Sequence, residues 1–153
     1  MSDKSSKEMR KPNRVGKPIQ FFAATLPWKQ LPDYPDIGSY KCNSDNSPAF
    51  VGAADTGNDI SNAAILIHEI IESVFCWLHG IKEEDISAFD RKWFAEEKAG
   101  VKHIHDGPGD DPAAPYHVWH LVAERFEREF IEQAGMSWEE HEENCERIYR
   151  GGY

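Results

Sequence analysis

Two short stretches of this chain carry residue types that could bind a metal ion between them. In the first, His68-Glu69-Ile70-Ile71-Glu72, the histidine and the second glutamate stand at i and i+4. That spacing puts them one helical turn apart on one face, where both could hold a single ion. Glu69 lies beside that axis, where a carboxylate could take a proton from a metal-bound water. In the second stretch, Tyr116-His117-Val118-Trp119-His120-Leu121-Val122-Ala123-Glu124, His117, His120 and Glu124 fall within about 60° of one another on a helical wheel. His120 and Glu124 repeat the spacing of His68 and Glu72. Two helices that each carry such a pair at the edge of an apolar stripe could face one another and enclose one ion, or two.

The surroundings of the first pair sharpen the question. On a wheel of residues 63–79, Ala63, Leu66, Ile67, Ile70, Ile71, Val74, Trp77 and Leu78 cover more than half of the circumference. His68, Glu72 and His79 share a wedge about 40° wide opposite them. A helix this apolar is expected to be buried on most faces, and a lone buried carboxylate costs several kcal/mol unless a partner or a metal compensates it. The alternative without metal is an ordinary His–Glu contact on a solvated stripe. Asp90 sits among Ala88, Phe89, Trp93 and Phe94, an odd place for an unpaired carboxylate, and is expected to orient a ligand histidine through its second ring nitrogen. The loop His103–Asp111, HIHDGPGDD, suits a lid or a hard-cation site, or is simply solvated.

The elements that must position these groups are readable from local signals. Residues 60–79 form one strong helix, with Asn58, Asp59 or Ser61 able to cap its start and Gly80 where a terminating glycine belongs. Residues 84–99 form a second helix closed by Gly100. Pro115 opens a third, which runs to Ala134 and stops at Gly135. Ser137 followed by Glu140 is a capping box for a short last helix. Before them, 18–26, 37–42 and 48–53 read as short strands, with Pro27, Pro32 and Pro35 in a loop that Trp28, Leu31 and Tyr34 could pin, and a turn at 43–47. The fold class is therefore α+β: a small antiparallel N-terminal sheet followed by three to four helices, in a single domain over residues 17–153.

Composition bounds what such a domain could do. The 153 residues include 17 Lys+Arg and 27 Asp+Glu, a net charge of −10, which disfavours a phosphate-binding, nucleic-acid-type face. The charge is uneven: residues 1–17 hold six basic against two acidic groups, so −14 falls on the rest. Residues 1–16 are nearly free of apolar side chains and read as a flexible basic arm, either a solvated tail or a contact for an acidic partner. No uninterrupted apolar run reaches the roughly 18–20 residues of a membrane span, and the start is polar. Three cysteines without a C-x-x-C pair favour reduced thiols and a cytoplasmic address, with Cys76 as a small core residue. Phosphate-binding glycine loops, dinucleotide fingerprints and a serine nucleophile elbow are absent. Nothing before His68 is histidine, which excludes an HD phosphohydrolase pattern. An all-α nucleotide pyrophosphohydrolase helix of the E-x-x-E type would leave the histidines superfluous.

Short strands followed by the helix Ile65-Leu66-Ile67-His68-Glu69-Ile70-Ile71-Glu72, and then by a helix offering further ligands, resemble the zincin superfamily of metallopeptidases in minimal form. The resemblance implies a third ligand from the downstream helix, at His120 or Glu124. Position 72 is Glu where the zincin H-E-x-x-H has its second histidine. The longer string HE-x-x-E … AFD … GDD-x-x-APY-x-x-x-H is also similar to small uncharacterised proteins of tailed bacteriophages and prophages, over about residues 63–138, which would place the chain in a host cytoplasm and implies no particular reaction.

The leading expectation is a peptidase-like hydrolase dependent on Zn²⁺ or another divalent metal. His68, Glu72 and His120 are its ligands with Glu124 as a further candidate, Glu69 is the general base, and His117 or Tyr116 stabilises the oxyanion. The rival is a non-enzymatic phage-type protein that binds a host protein or a nucleotide ligand, with a structural metal or a buried His/Glu network in place of a catalytic centre.

Overall fold

Alternating short runs and a turn signal shape the N-terminal sheet of the computed structural model, which describes residues 22–26 and 36–151. The arm expected at 1–16 and the proline-rich loop after Leu26 lie outside them. Strands β1 (Phe22–Leu26), β2 (Gly38–Cys42) and β3 (Pro48–Ala54) form one sheet in the order β1-β3-β2. β2 and β3 make the expected antiparallel hairpin, with Tyr40 opposite Val51. The turn between them closes through Asn43 N–H to Ser47 O at 2.8 Å, and Asn46 takes a left-handed φ of 64°.

The sheet departs from the antiparallel expectation at β1, which pairs parallel to β3 with Ala24 opposite Gly52. The physical reason is an insertion. β1 and β2 run in opposite senses and meet the same end of β3: Ala54 N–H bonds Ile37 O at 2.7 Å, and Asp55 N–H bonds Leu26 O at 3.0 Å. β3 therefore wedges between two antiparallel strands and converts one neighbour into a parallel one. The sheet is mixed, and with four helices after it the fold is α+β and helix-dominated.

Four helices follow: α1 (Asp59–Leu78), α2 (Glu83–Lys98), α3 (His117–Gln133) and α4 (Trp138–Gly151). Asn58 caps α1, its side chain accepting from the N–H groups of Ile60 and Ser61 at 3.0 Å. Gly80, Gly100 and Gly135, each just past a helix, all have positive φ, which only glycine adopts freely. Ser137 Oγ accepts from Glu140 N–H at 3.1 Å, the capping contact expected there. α3 starts at His117, two residues after Pro115, and a 3-10 turn at Pro108–Asp110 precedes it.

α1 is the axis of the domain, packed against α3 and against β3 and touching α4. One apolar cluster joins Tyr40 and Val51 of the sheet to Cys76, Ile86 and Tyr116. A second joins Ala53 to Ile65 and Cys145, and a third joins Ala64 to Ile131 and Met136. All three cysteines are unbridged. By length and composition alone α1 could cross a membrane, although no single run in it is unbroken by polar residues. Its burial does not simply follow hydropathy, since Ala64, Ile65 and Cys76 are buried together with ionisable residues. Buried positions include His68, Glu69, Glu72 and Ser73, while Ile67, Ile71 and Val74 are only half-buried and Leu78 is exposed. The ionisable stripe faces the protein interior.

Candidate metal centre

The close packing of α1 on α3 brings three donor atoms into a triangle. His68 Nε2 lies 3.1 Å from His120 Nδ1 and 3.4 Å from Glu72 Oε2, and His120 Nδ1 lies 3.0 Å from that same oxygen. A tetrahedral ion with bonds of about 2.0–2.1 Å to nitrogen and oxygen places its ligand atoms about 3.3–3.4 Å apart, so the triangle is close to one face of such a polyhedron. His68, Glu72 and His120 thus form a cluster that could hold a metal ion. The His68 and Glu72 side chains are 10% and 7% exposed, and His120 is 24% exposed, so the cluster opens on the His120 side. It borders a cleft of about 1320 Å³ that Glu69, Asp36 and Asp110 also line.

The charges around the triangle are strongly coupled. Burial by itself would raise the Glu72 carboxyl, but hydrogen bonds with His120 and His68 bring it down to about 2. Burial would lower His68, yet its contacts with Glu127 and Glu72 hold it well above the usual imidazole range. Behind His68, Nδ1 lies 2.8 Å from Glu127 Oε2, and the other oxygen of Glu127 lies 2.9 Å from His141 Nε2. Two histidines therefore offset the burial of Glu127 and depress it to about 2. A carboxylate on the outer nitrogen of a ligand histidine fixes which nitrogen faces the ion. That position, expected for Asp90, is occupied by Glu127 on α3.

Glu69 is buried next to this cluster. Among the described residues nothing donates a hydrogen bond to it, and burial, reinforced by the charges of Glu72 and Asp36, pushes its carboxyl well above the ordinary range. Gly38, the first residue of β2, makes room for it: a Cβ there would lie 2.2 Å from Glu69 Oε1. Asp36, just before β2, is pushed by burial up to about 6 despite the Gly38 amide.

The remaining expected site residues stand outside the donor triangle, and Asp90, Tyr116 and Glu124 line the same cleft. Asp90 is buried on α2 and accepts from Tyr116 Oη at 2.6 Å. Burial raises it to about 7, and the Tyr116 hydroxyl is spent on it. His117 is half-buried and uses Nδ1 on Gly109 O at 2.8 Å. Glu124 turns away from the triangle to Arg128, whose Nε donates to it at 2.8 Å. His79, on the same wheel wedge as His68, instead stacks at the end of α1 on Trp119 with centroids 4.0 Å apart.

Glu127, His141, Asp36 and Gly38 are the site-forming residues not singled out from the sequence, whereas Asp110 belongs to the loop His103–Asp111 flagged there as a lid or cation site. Glu127 carried a usable signal, since it stands seven residues after His120 and returns to the same helical face two turns on. His141 shares a face of α4 with the buried Asn144 and Cys145. No local pattern marks Asp36 or Gly38, which reach the site only through the sheet.

No protein-family model matches the chain, and no curated protein or solved structure matches it.

Proposed function

We propose that the protein is a hydrolase dependent on a divalent metal, with zinc on His68, Glu72 and His120 and a peptide-type carbonyl as its target. The observation that carries this reading is the donor triangle of 3.0, 3.1 and 3.4 Å with a cleft on its open side. Three protein ligands and one open position suit catalysis, whereas structural zinc is held by four. A divalent ion held there supplies a Lewis acid for a water or a carbonyl oxygen.

The chain's own groups supply the proton chemistry. Glu69 lies one residue from a ligand and lines the same cleft. Its carboxyl is raised by burial and by neighbouring carboxylates, and a divalent ion held beside it would lower that value again and favour the ionised carboxylate that a base requires. Glu69 then takes a proton from the attacking water and returns it to the leaving amine. Glu127 holds His68 with Nε2 toward the ion. Tyr116 and His117, with their donors committed to Asp90 and Gly109, support the walls of the site.

Elemental analysis of tag-free protein tests the first half of the reading, with one equivalent of zinc expected. His68→Ala is expected to lose both metal and turnover of a mixed peptide pool read by mass spectrometry, and Glu69→Gln to keep the metal and lose turnover. Absence of stoichiometric divalent metal, or full activity in Glu69→Gln, overturns the proposal. A zinc that binds but supports no turnover in the wild type, while chelation lowers the melting temperature steeply, establishes the rival structural clip.

A further inference from the structure

We propose that Asp110, in the loop before α3, is the positioning residue for His120, matching on the second ligand what Glu127 does on the first. The inference rests on the metal reading of the triangle. His68 presents Nε2 to the cluster and Nδ1 to Glu127. His120 is turned the other way, with Nδ1 in the cluster and Nε2 facing Asp110 Oδ1 at 3.8 Å. Each ligand imidazole therefore has a carboxylate beyond its outer nitrogen.

The loop is built to keep Asp110 there. The 3-10 turn Pro108–Asp110 lays its backbone against the imidazole of His120, and a Cβ on Gly109 would lie 2.5 Å from ring atoms Cγ and Nδ1. His117, one turn before His120, donates from Nδ1 to Gly109 O at 2.8 Å and latches the turn to the helix that carries the ligand. Asp110 N–H bonds Gly107 O and Asp111 N–H bonds Pro108 O, both at 3.2 Å. The glycine-rich stretch is thus a roof fastened over one ligand.

The chemistry follows from proton count. A neutral imidazole carries one N–H, so when Nδ1 gives its lone pair to an ion the proton must sit on Nε2. A separation of 3.8 Å is too long for a hydrogen bond, and the Asp110 side chain, 37% exposed, has solvent-side freedom in which to approach Nε2–H once that proton is fixed there. Asp110 stands on the side of the ring away from the cluster. It therefore selects the metal-binding tautomer of His120 and does not itself ligate.

The test compares Asp110→Ala and Asp110→Asn with the wild type, using Co²⁺ in competition with a chromophoric chelator. Asp110→Ala is expected to lose about tenfold or more in affinity, with the melting temperature of the metal-free protein unchanged. Asp110→Asn, whose amide oxygen still accepts from Nε2–H, is expected to retain most of the affinity. Long-range ¹H–¹⁵N spectra of the zinc-loaded wild type should show His120 as the Nε2–H tautomer. Affinity within twofold of wild type in Asp110→Ala overturns the inference and leaves the metal site standing. Equal losses in both variants accompanied by a lower metal-free melting temperature also overturn it, because they mark a merely structural role. Wild-type protein that takes up no Co²⁺ overturns the metal reading as well.

Discussion

Glu127→Gln is the substitution that most directly probes how the centre is held. Glu127 is 6% exposed and bonds His68 at 2.8 Å and His141 at 2.9 Å. A carboxyl lowered on folding from an ordinary 4.5 to about 2 contributes about 3 kcal/mol at neutral pH. Glutamine keeps the shape but removes the charge that both imidazoles face, and for a domain of this size that loss corresponds to about 6–12 °C in melting temperature. The pH dependence has a fixed sign. The contribution of Glu127 is complete above its unfolded value near 4.5 and disappears as pH falls toward 2, so variant and wild type converge across that window. His68, raised against the lowering effect of burial, contributes fully below about 6.5 and loses its share as pH rises through its folded value, so the gap narrows again in alkali. Metal affinity is expected to fall about 10–100-fold. Thermal melts from pH 2 to 10, with and without chelator, together with a competition titration, measure all of this. A variant that melts within about 2 °C of wild type at pH 7 and binds metal within twofold would refute the idea that Glu127 compensates the two histidines.

Two further substitutions address neighbouring groups. Asp90→Asn keeps an acceptor for the Tyr116 hydroxyl and removes a carboxylate whose pKa burial raises to about 7. The folded wild type loses stability between about pH 4 and 7, where the unfolded chain has already released that proton. The variant should match wild type near pH 4 and exceed it by about 1–3 kcal/mol at pH 8 in urea unfolding, and an unchanged pH slope would contradict this. Gly38→Ala drives a methyl into the Glu69 carboxylate. Zinc stoichiometry should be kept, turnover should drop sharply, and stability should fall by about 1–3 kcal/mol; wild-type activity would show that Glu69 does not need its present position.

What could be read from the chain in advance divides by distance along it. His68 and Glu72 lie on one turn because helical spacing is local, and the repetition of that spacing at His120 is enough to suggest that two helices meet there. The caps and terminating glycines were legible for the same reason. The parallel pairing of β1 was not, because it depends on β3 entering between two strands whose own sequences do not mention it. Asp90 shows a different limit. An acidic residue among aromatics signals a buried carboxylate, but which partner it meets depends on the packing of α2 on the start of α3, and that partner is Tyr116. Glu124 and Glu127 return to the helical face of His120 one and two turns on, so spacing alone does not separate them. The choice between them turns on Arg128, which draws Glu124 outward.

The separation of 52 positions between His68 and His120 also sets a schedule. A ribosome adding about 5–20 residues per second completes the first histidine roughly 3–10 seconds before the second. Throughout that interval α1 has its ionisable stripe without the partners on α3, and its apolar flank gives the nascent chain a sticky surface. Neither Glu127 nor His120 exists yet to pair with the stripe, so the donor triangle is incomplete until α3 has emerged and docked. The junction of α1 and α3 is accordingly one of the last parts of the domain to form, and a metal held as proposed would enter only after it.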